Sequence, residues 1–192
     1  MCKSIISLTI FILLILSGCV RTYKLVPATE FEFQSFSINL PSEWNLSPYN
    51  FGSQSLTLTK DGELLNHLIL ISNIKTNQRL FQNINKKGMP SFSTNSTLSD
   101  LQTFITASIG LLYEKEFSIE TSQQQEIMIN GHPATKFLIN YQSETGLERS
   151  GIVVGIIKND KLSILWYDAA SLHYFDQYAP EVNNIIQSIR II

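Results

Sequence analysis

The chain alternates between two hydrophobic periods, and the places where one gives way to the other divide it into elements. Phe36, Ile38 and Leu40 alternate with Ser37 and Asn39, which predicts a half-buried strand over Phe31–Leu40, stopped by Pro41. Ser55–Lys60 alternates again, Asp61-Gly62 is a hairpin turn signal, and His67–Ile74 is apolar on successive positions, as a strand covered on both faces would be. Lys75–Leu98 loses all period and is rich in Asn, Ser, Thr and Lys. It is longer than an idle connection in a compact domain usually runs, and reads either as a surface excursion with a short helix at Arg79–Ile84 or as a segment that binds something.

The period then changes to that of a helix. Ser99-Asp100-Leu101-Gln102 fits a capping box, and Leu101, Phe104, Ile105, Ile109 and Leu112 recur at steps of three and four, with Lys115 as a last-turn cation. From Phe117 alternation returns. Ser118–Ile129 ends at Asn130-Gly131, a pair suited to the positive φ angles of a tight hairpin. Ala134–Gln142 then places Phe137, Ile139 and Tyr141 on one face. Gly151–Ile157 is apolar on both sides, Asn159-Asp160 turns the chain, and Lys161–Ala169 returns. Ser171–Tyr178 is ambiguous. Pro180 suits a first helical turn, and Val182, Ile185, Ile186 and Ile189 form a second apolar stripe. Strands apolar on both faces need cover on both, so the expected fold class is α+β: an α/β/α sandwich of six or seven mainly antiparallel strands with a helix on each face.

This ordering resembles the PsbP-like family, found in photosystem PsbP subunits and in bacterial envelope lipoproteins. The resemblance is carried by Phe36-Ser37-Ile38-Asn39-Leu40-Pro41-Ser42-Glu43-Trp44, by Asn130-Gly131-His132-Pro133-Ala134, and by Tyr178-Ala179-Pro180 followed by Ile185-Ile186-Gln187-Ser188-Ile189. It spans residues 31–192 and implies the same α/β/α sandwich. Because that fold hosts unrelated roles, it transfers no activity.

The first thirty residues belong to a different pattern. Lys3 and the amino terminus are followed by an apolar run, Ile5–Leu16, of the length of an export signal and too short to span a bilayer. The run ends in Leu16-Ser17-Gly18-Cys19, which resembles the lipobox of bacterial lipoproteins, where cleavage precedes a cysteine that takes a diacylglycerol. The expected organisation is a signal peptide over 1–18, lipidated Cys19 and a tether over 19–30, and one domain over 31–192. Val20 rather than Asp follows the cysteine, which points by the same resemblance to the outer membrane, on its periplasmic face. Extended at about 3.3–3.6 Å per residue, the eleven residues Val20–Glu30 would hold the domain about 35–40 Å from its anchor.

Composition narrows the function classes. The chain has 192 residues, 44% hydrophobic and 16% charged, with a formal net charge of −2 and no basic block, so nucleic acid is not an expected partner. Its two cysteines, Cys2 and Cys19, both lie at the amino terminus, so the domain rests on core burial rather than disulfides. There is no G-x-S-x-G elbow, no phosphate-binding glycine pattern and no His-x-x-His or His-Glu-x-x-His spacing, and neither a cofactor nor a metal is expected. His67, His132 and His173 are far apart in sequence. The best acid/base grouping is His173 with Asp176 and Asp168, against the plainer reading of a solvated turn. Glu114, Glu116 and Glu120 read as a solvated helix end rather than a glycosidase pair. Trp44, Trp166 and Tyr167 would either line a groove or fill the core, the latter being the expectation. The sequons Asn45-Leu46-Ser47 and Asn95-Ser96-Thr97 carry no weight in a bacterial lipoprotein.

Three functions follow as expectations: a non-enzymatic, lipid-anchored envelope module that binds or assembles with a protein partner; a hydrolase or small-molecule enzyme built on His173, Asp168 and Asp176; and a lipoprotein that neutralises or escorts an effector.

Overall fold

The computed structural model describes residues 22–112, 118–143 and 145–192. Lys115, Glu114, Glu116, the export segment and Cys19 lie outside the described residues.

Among the described residues, eleven strands form two antiparallel sheets. In chain order they are β1 (Lys24–Val26), β2 (Glu30–Phe33), β3 (Phe36–Asn39), β4 (Trp44–Leu46), β5 (Ser55–Thr59), β6 (Asn66–Ile74), β7 (Glu120–Ile129), β8 (His132–Gln142), β9 (Glu148–Lys158), β10 (Lys161–Ala170) and β11 (Arg190–Ile191). Helix α1 (Leu98–Gly110) separates β6 from β7, and α2 (Asp176–Ser188) precedes β11. The large sheet has eight strands in the order β1-β4-β5-β6-β10-β9-β8-β7, and the small one the order β11-β3-β2.

The two-sided strands work as the alternation requires. Leu165, Tyr167 and Ala169 of β10, with Leu68 and Leu70 of β6 and Ile152, Val154 and Ile156 of β9, pack against Val182, Ile185 and Ile186 of α2 and against Phe36 and Ile38 of the small sheet. The intervening residues, Ile164 and Trp166, Ile69 and Ile71, and Val153, face the other way onto Leu101, Phe104, Ile105 and Ile109 of α1. Each apolar stripe read from the helices is therefore packed on its own face of one sheet, although α1 ends at Gly110, so that Leu112 packs from beyond the helix and is only half-buried. The sheet has eight strands instead of six or seven, and the small sheet, unforeseen in sequence, joins α2 on its face.

Local differences have local causes. The single strand expected over Phe31–Leu40 is a hairpin, β2 and β3, because Gln34 turns the chain at φ 50°, and glutamine gives no turn signal. Within the segment read as a tether, Lys24–Val26 pairs with Trp44–Leu46, so only residues 19–23 of it precede the sheet. The N-cap of α1 is Thr97, whose hydroxyl accepts from the Asp100 amide while the Asp100 carboxylate accepts from the Thr97 amide, two residues before the box read at Ser99. Arg79–Ile84 is not helical. Leu80, Phe81 and Phe92 of that segment are buried with α1, so the long connection is a lid on the core rather than an excursion from it. Pro180 lies inside α2, because a π-helical turn over Ser171–Phe175 runs directly into the helix and moves its start upstream.

The Asn130-Gly131 and Asn159-Asp160 hairpins form with positive φ at all four residues. β7 occupies the edge of the large sheet with a polar, mostly exposed surface. Its ladder to β8 is interrupted between Ser122 and Gln125, where Gln123 has φ 53°.

Candidate functional site

At one end of the large sheet, on the α1 side, four adjacent strands bring their polar residues together. In the register of β10, Asp168 stands opposite His67 of β6 and Gly151 of β9, and Tyr141 of β8 stands opposite Arg149 of β9. Strand alternation puts all four side chains on the α1 face, below Trp166, whose ring meets His67 edge-on at 5.6 Å.

Asp168 is fully buried. Its carboxylate accepts from Arg149 Nε at 3.1 and 3.3 Å and from the Tyr141 hydroxyl. Arg149, itself buried, also donates from Nη1 to the Leu64 carbonyl at 2.6 Å, while Nη2 is buried without a partner. Burial alone would lower the Arg149 guanidinium, but the facing Asp168 and Tyr141 groups outweigh it and raise the guanidinium above its ordinary value. Burial likewise pushes the neighbouring Tyr167 phenol up, reinforced by the Asp168 charge.

His67 completes the cluster. Its Nδ1 lies 3.1 Å from the Glu63 carbonyl, which can only accept, so Nδ1 carries the proton of that bond. Nε2 lies 3.3 Å from Asp168 Oδ2, within ion-pair range but out of line for a hydrogen bond. Both ring nitrogens thus face protein groups. Glu63 is raised above the usual carboxylate range, first by burial, with His67 and the Tyr23 hydroxyl pulling the other way.

Two clefts flank this cluster. One, of about 390 Å³, is polar and lined by Glu120, Asn140, Tyr141, Glu148, Arg149 and Ser171. The other, of about 190 Å³ and mainly apolar, is lined by Tyr49, Phe51, Thr57, Glu63, His67 and Ile69. Neither cleft reaches an oxygen of Asp168 that is not already engaged. A general base must present a nitrogen or oxygen to a substrate proton. Here the Asp168 oxygens are taken up by Arg149 and Tyr141 and His67 Nδ1 by the Glu63 carbonyl, while His67 Nε2 is buried beside Asp168 Oδ2 without a hydrogen bond, so the cluster ties four adjacent strands together.

The trio His173, Asp168 and Asp176 is not assembled. Tyr167, next to Asp168, points to the α2 face, where its hydroxyl donates to the Tyr174 carbonyl at 2.8 Å and its ring stacks on Phe175. The π-helical turn carrying His173 therefore lies across the sheet from Asp168, and His173 and Asp176 are exposed. Trp44, Trp166 and Tyr167 are core residues. Trp44 also ties the fold together, since its indole N–H donates to Glu181 Oε1 at 2.9 Å, an oxygen shared with Ser42 at 2.6 Å and Lys60 at 3.2 Å. Lys60 Nζ sits 4.9 Å above the Trp44 ring. The Ser42-Glu43-Trp44 opening is thus a clasp on α2. His132 stands at the β7–β8 turn, away from the other two histidines. Arg149 and Tyr141 carried no motif, and their partnership with Asp168 depends on pairing across three strands.

No family model and no curated protein matches the chain. Solved structures do. The chain superimposes on CyanoP, the cyanobacterial PsbP of Synechocystis, with a TM-score of 0.59 and 10% identity, covering 92% of this chain and 99% of that one. The fold is PsbP-like. A protein of Bacteroides thetaiotaomicron gives a TM-score of 0.52 at 10% identity, over 87% of this chain and 49% of that one. At these identities the likeness establishes architecture alone. Among the described residues no helix is long and apolar enough to cross a membrane.

Proposed function

We propose that this chain is a bacterial envelope lipoprotein, held at the periplasmic face of the outer membrane through acylated Cys19, and that its PsbP-like domain serves as a non-enzymatic binding or assembly module for an envelope protein. The anchor rests on Leu16-Ser17-Gly18-Cys19 placed after Lys3 and a short apolar run. The observation that carries the non-enzymatic reading is the inward placement of the His67–Asp168–Arg149–Tyr141 cluster, in which the Asp168 oxygens and His67 Nδ1 bond protein groups and His67 Nε2 is buried beside Asp168. Two acyl chains, each gaining about 0.8 kcal/mol per buried methylene, hold a domain of this size persistently, whereas one holds it weakly.

Cys19→Ala is expected to move the protein from the membrane fraction to the soluble fraction and to remove the diacylglycerol mass from its amino-terminal peptide. A Cys19→Ala protein that stays with the membrane, or a wild-type Cys19 with a free thiol, refutes the anchor. Crosslinking in intact cells with mass-spectrometric identification is expected to recover an envelope protein. Turnover of a small-molecule ester or glycoside panel that is lost in Asp168→Asn without loss of folding would refute the non-enzymatic role.

A further inference from the structure

We infer that the end of the large sheet carrying Leu64 and Leu172 is a bilayer-docking surface, so that the domain lies against the membrane that holds its anchor instead of swinging free on a tether. The inference rests on the acylation of Cys19 proposed above. Leu172, in the π-helical turn, is 97% exposed and Leu64, in the loop before β6, is 85% exposed. A single exposed leucine is ordinary, but exposed apolar side chains gathered at one place mark an interaction surface. They belong to one end of the molecule: the Ala170 amide donates to the Leu65 carbonyl at 2.9 Å, the Arg149 guanidinium holds the Leu64 carbonyl at 2.6 Å, and Ser171 hydrogen-bonds Ser150 at 2.9 Å. Exposed Leu147 immediately precedes β9 at the same end.

Two tyrosines adjoin this leucine group. Glu63, next to Leu64, lies close enough to the Tyr23 phenol for the two to perturb each other and accepts from the Ser47 hydroxyl, which in turn accepts from the Tyr49 amide. Tyr23 and Tyr49 are each about half exposed. Leucines flanked by tyrosines match the layering of a membrane interface, where phenol rings sit at headgroup level and aliphatic side chains reach the acyl boundary.

The chain's own reach selects a bilayer as the occupant. Cys19 precedes Tyr23 by four residues, so even fully extended chain places the acylated sulfur within about 14 Å of Tyr23. Since β1 begins at Lys24, nothing longer separates the sheet from the lipid. A domain leashed this closely at the edge of an apolar surface meets the membrane on every orientation that brings that surface down.

The test uses the acylated full-length protein in vesicles of phosphatidylethanolamine and phosphatidylglycerol, with an environment-sensitive fluorophore on Leu64→Cys, Leu172→Cys or, as control, Asp160→Cys in the β9–β10 turn at the opposite end. The labels at 64 and 172 are expected to shift to shorter wavelength and to be quenched several-fold more strongly by spin-labelled lipid than the label at 160. Equal exposure of all three labels to aqueous iodide on an anchored protein overturns the docking while leaving the anchor intact. Protection of 64 and 172 from iodide without quenching by spin-labelled lipid also overturns it, and assigns the surface to a protein or a second copy. Mass spectrometry showing unacylated Cys19 removes both readings. A Leu64→Asp, Leu172→Asp double variant that remains acylated and folded is expected to lose the lower accessibility to protease that the docked domain shows.

Discussion

Asp168 and Arg149 form a pair whose members depend on each other more than on the rest of the core. A carboxylate with no solvent access is tolerable because the guanidinium lies 3.1 Å away and Tyr141 donates to it. Arg149→Met leaves that charge uncompensated and is expected to lower unfolding free energy by about 3–5 kcal/mol in urea titrations, whereas Arg149→Met with Asp168→Leu should recover much of the loss. If the double substitution costs as much as the single one, the pair is not a mutually compensating unit. Gly151 stands opposite Asp168, and a Cβ there would lie 2.7 Å from the Tyr167 carbonyl oxygen and 2.9 Å from Ile139 Cγ1. Gly151→Ala should therefore cost about 1–3 kcal/mol by the same measurement.

Tyr178 supplies a pH signature. Its phenol is pushed up to about 12, first by burial, then by its hydrogen bond to Asp61 and the charges of Asp61 and Glu181. Since the folded value exceeds the ordinary value of 10.0, this contribution to stability is complete below pH 10 and is lost as the pH climbs through about 12. Alkaline unfolding followed by circular dichroism should show the loss, and Tyr178→Phe should flatten that limb. At this scale the sequence was least informative about partners. Asp168 was grouped with His173 and Asp176 by nearness in the chain, yet one step of strand alternation sends it to the opposite face, where it meets His67 of the distant strand β6.

Elements were legible where the signal is local. Asn130-Gly131, Asn159-Asp160 and the stripes of α1 and α2 need only their own few residues to specify them; both turns appear as read, and the stripes do too except at their ends, where α1 stops at Gly110 before Leu112 and α2 at Ser188 before Ile189. What escaped was set at longer range. The β2–β3 turn uses Gln34, and the cap of α1 falls on Thr97, because the turn that packs Leu101 and Phe104 beneath the Lys75–Leu98 connection fixes where the helix begins. That connection has no period because its buried residues are spaced by turns rather than by a repeat. Phe81 rests on Phe51 at 5.0 Å and near Trp166 at 6.3 Å. Phe81→Ala is expected to cost about 3–5 kcal/mol. A loss within a few tenths of a kcal/mol would return the segment to a surface role. Removing the cap hydroxyl with Thr97→Ala should cost about 1 kcal/mol. Because Asp100 is held below the usual carboxylate range by Thr97, the cap's contribution is present above that range and fades as the pH falls through the lowered value.

For the molecule as a whole, the two cores share the same strands. β6, β9 and β10 each feed both, so neither face can come apart while the other stays packed. Unfolding should accordingly be one transition, with tryptophan fluorescence from Trp44 on the α2 face and Trp166 on the α1 face changing at the same denaturant concentration as far-ultraviolet circular dichroism. Separate midpoints for Trp44→Phe and Trp166→Phe variants would mean two cooperative units. The layered plan was readable in the sequence because two-sided apolar strands require it. The strand total and the small sheet were not, since β1, β4 and β11 are two or three residues long and carry no period of their own.

The break in β7 bears on how many copies can live side by side. An open sheet margin with regular amides and carbonyls is a template for end-to-end polymerisation. The kink at Gln123, set among Glu120, Thr121, Ser122, Gln124 and Glu126, denies a second chain any long flush run of pairing on that margin, and the opposite margin, β1, offers only three residues. Copies that meet margin to margin are thereby kept from growing into a fibre.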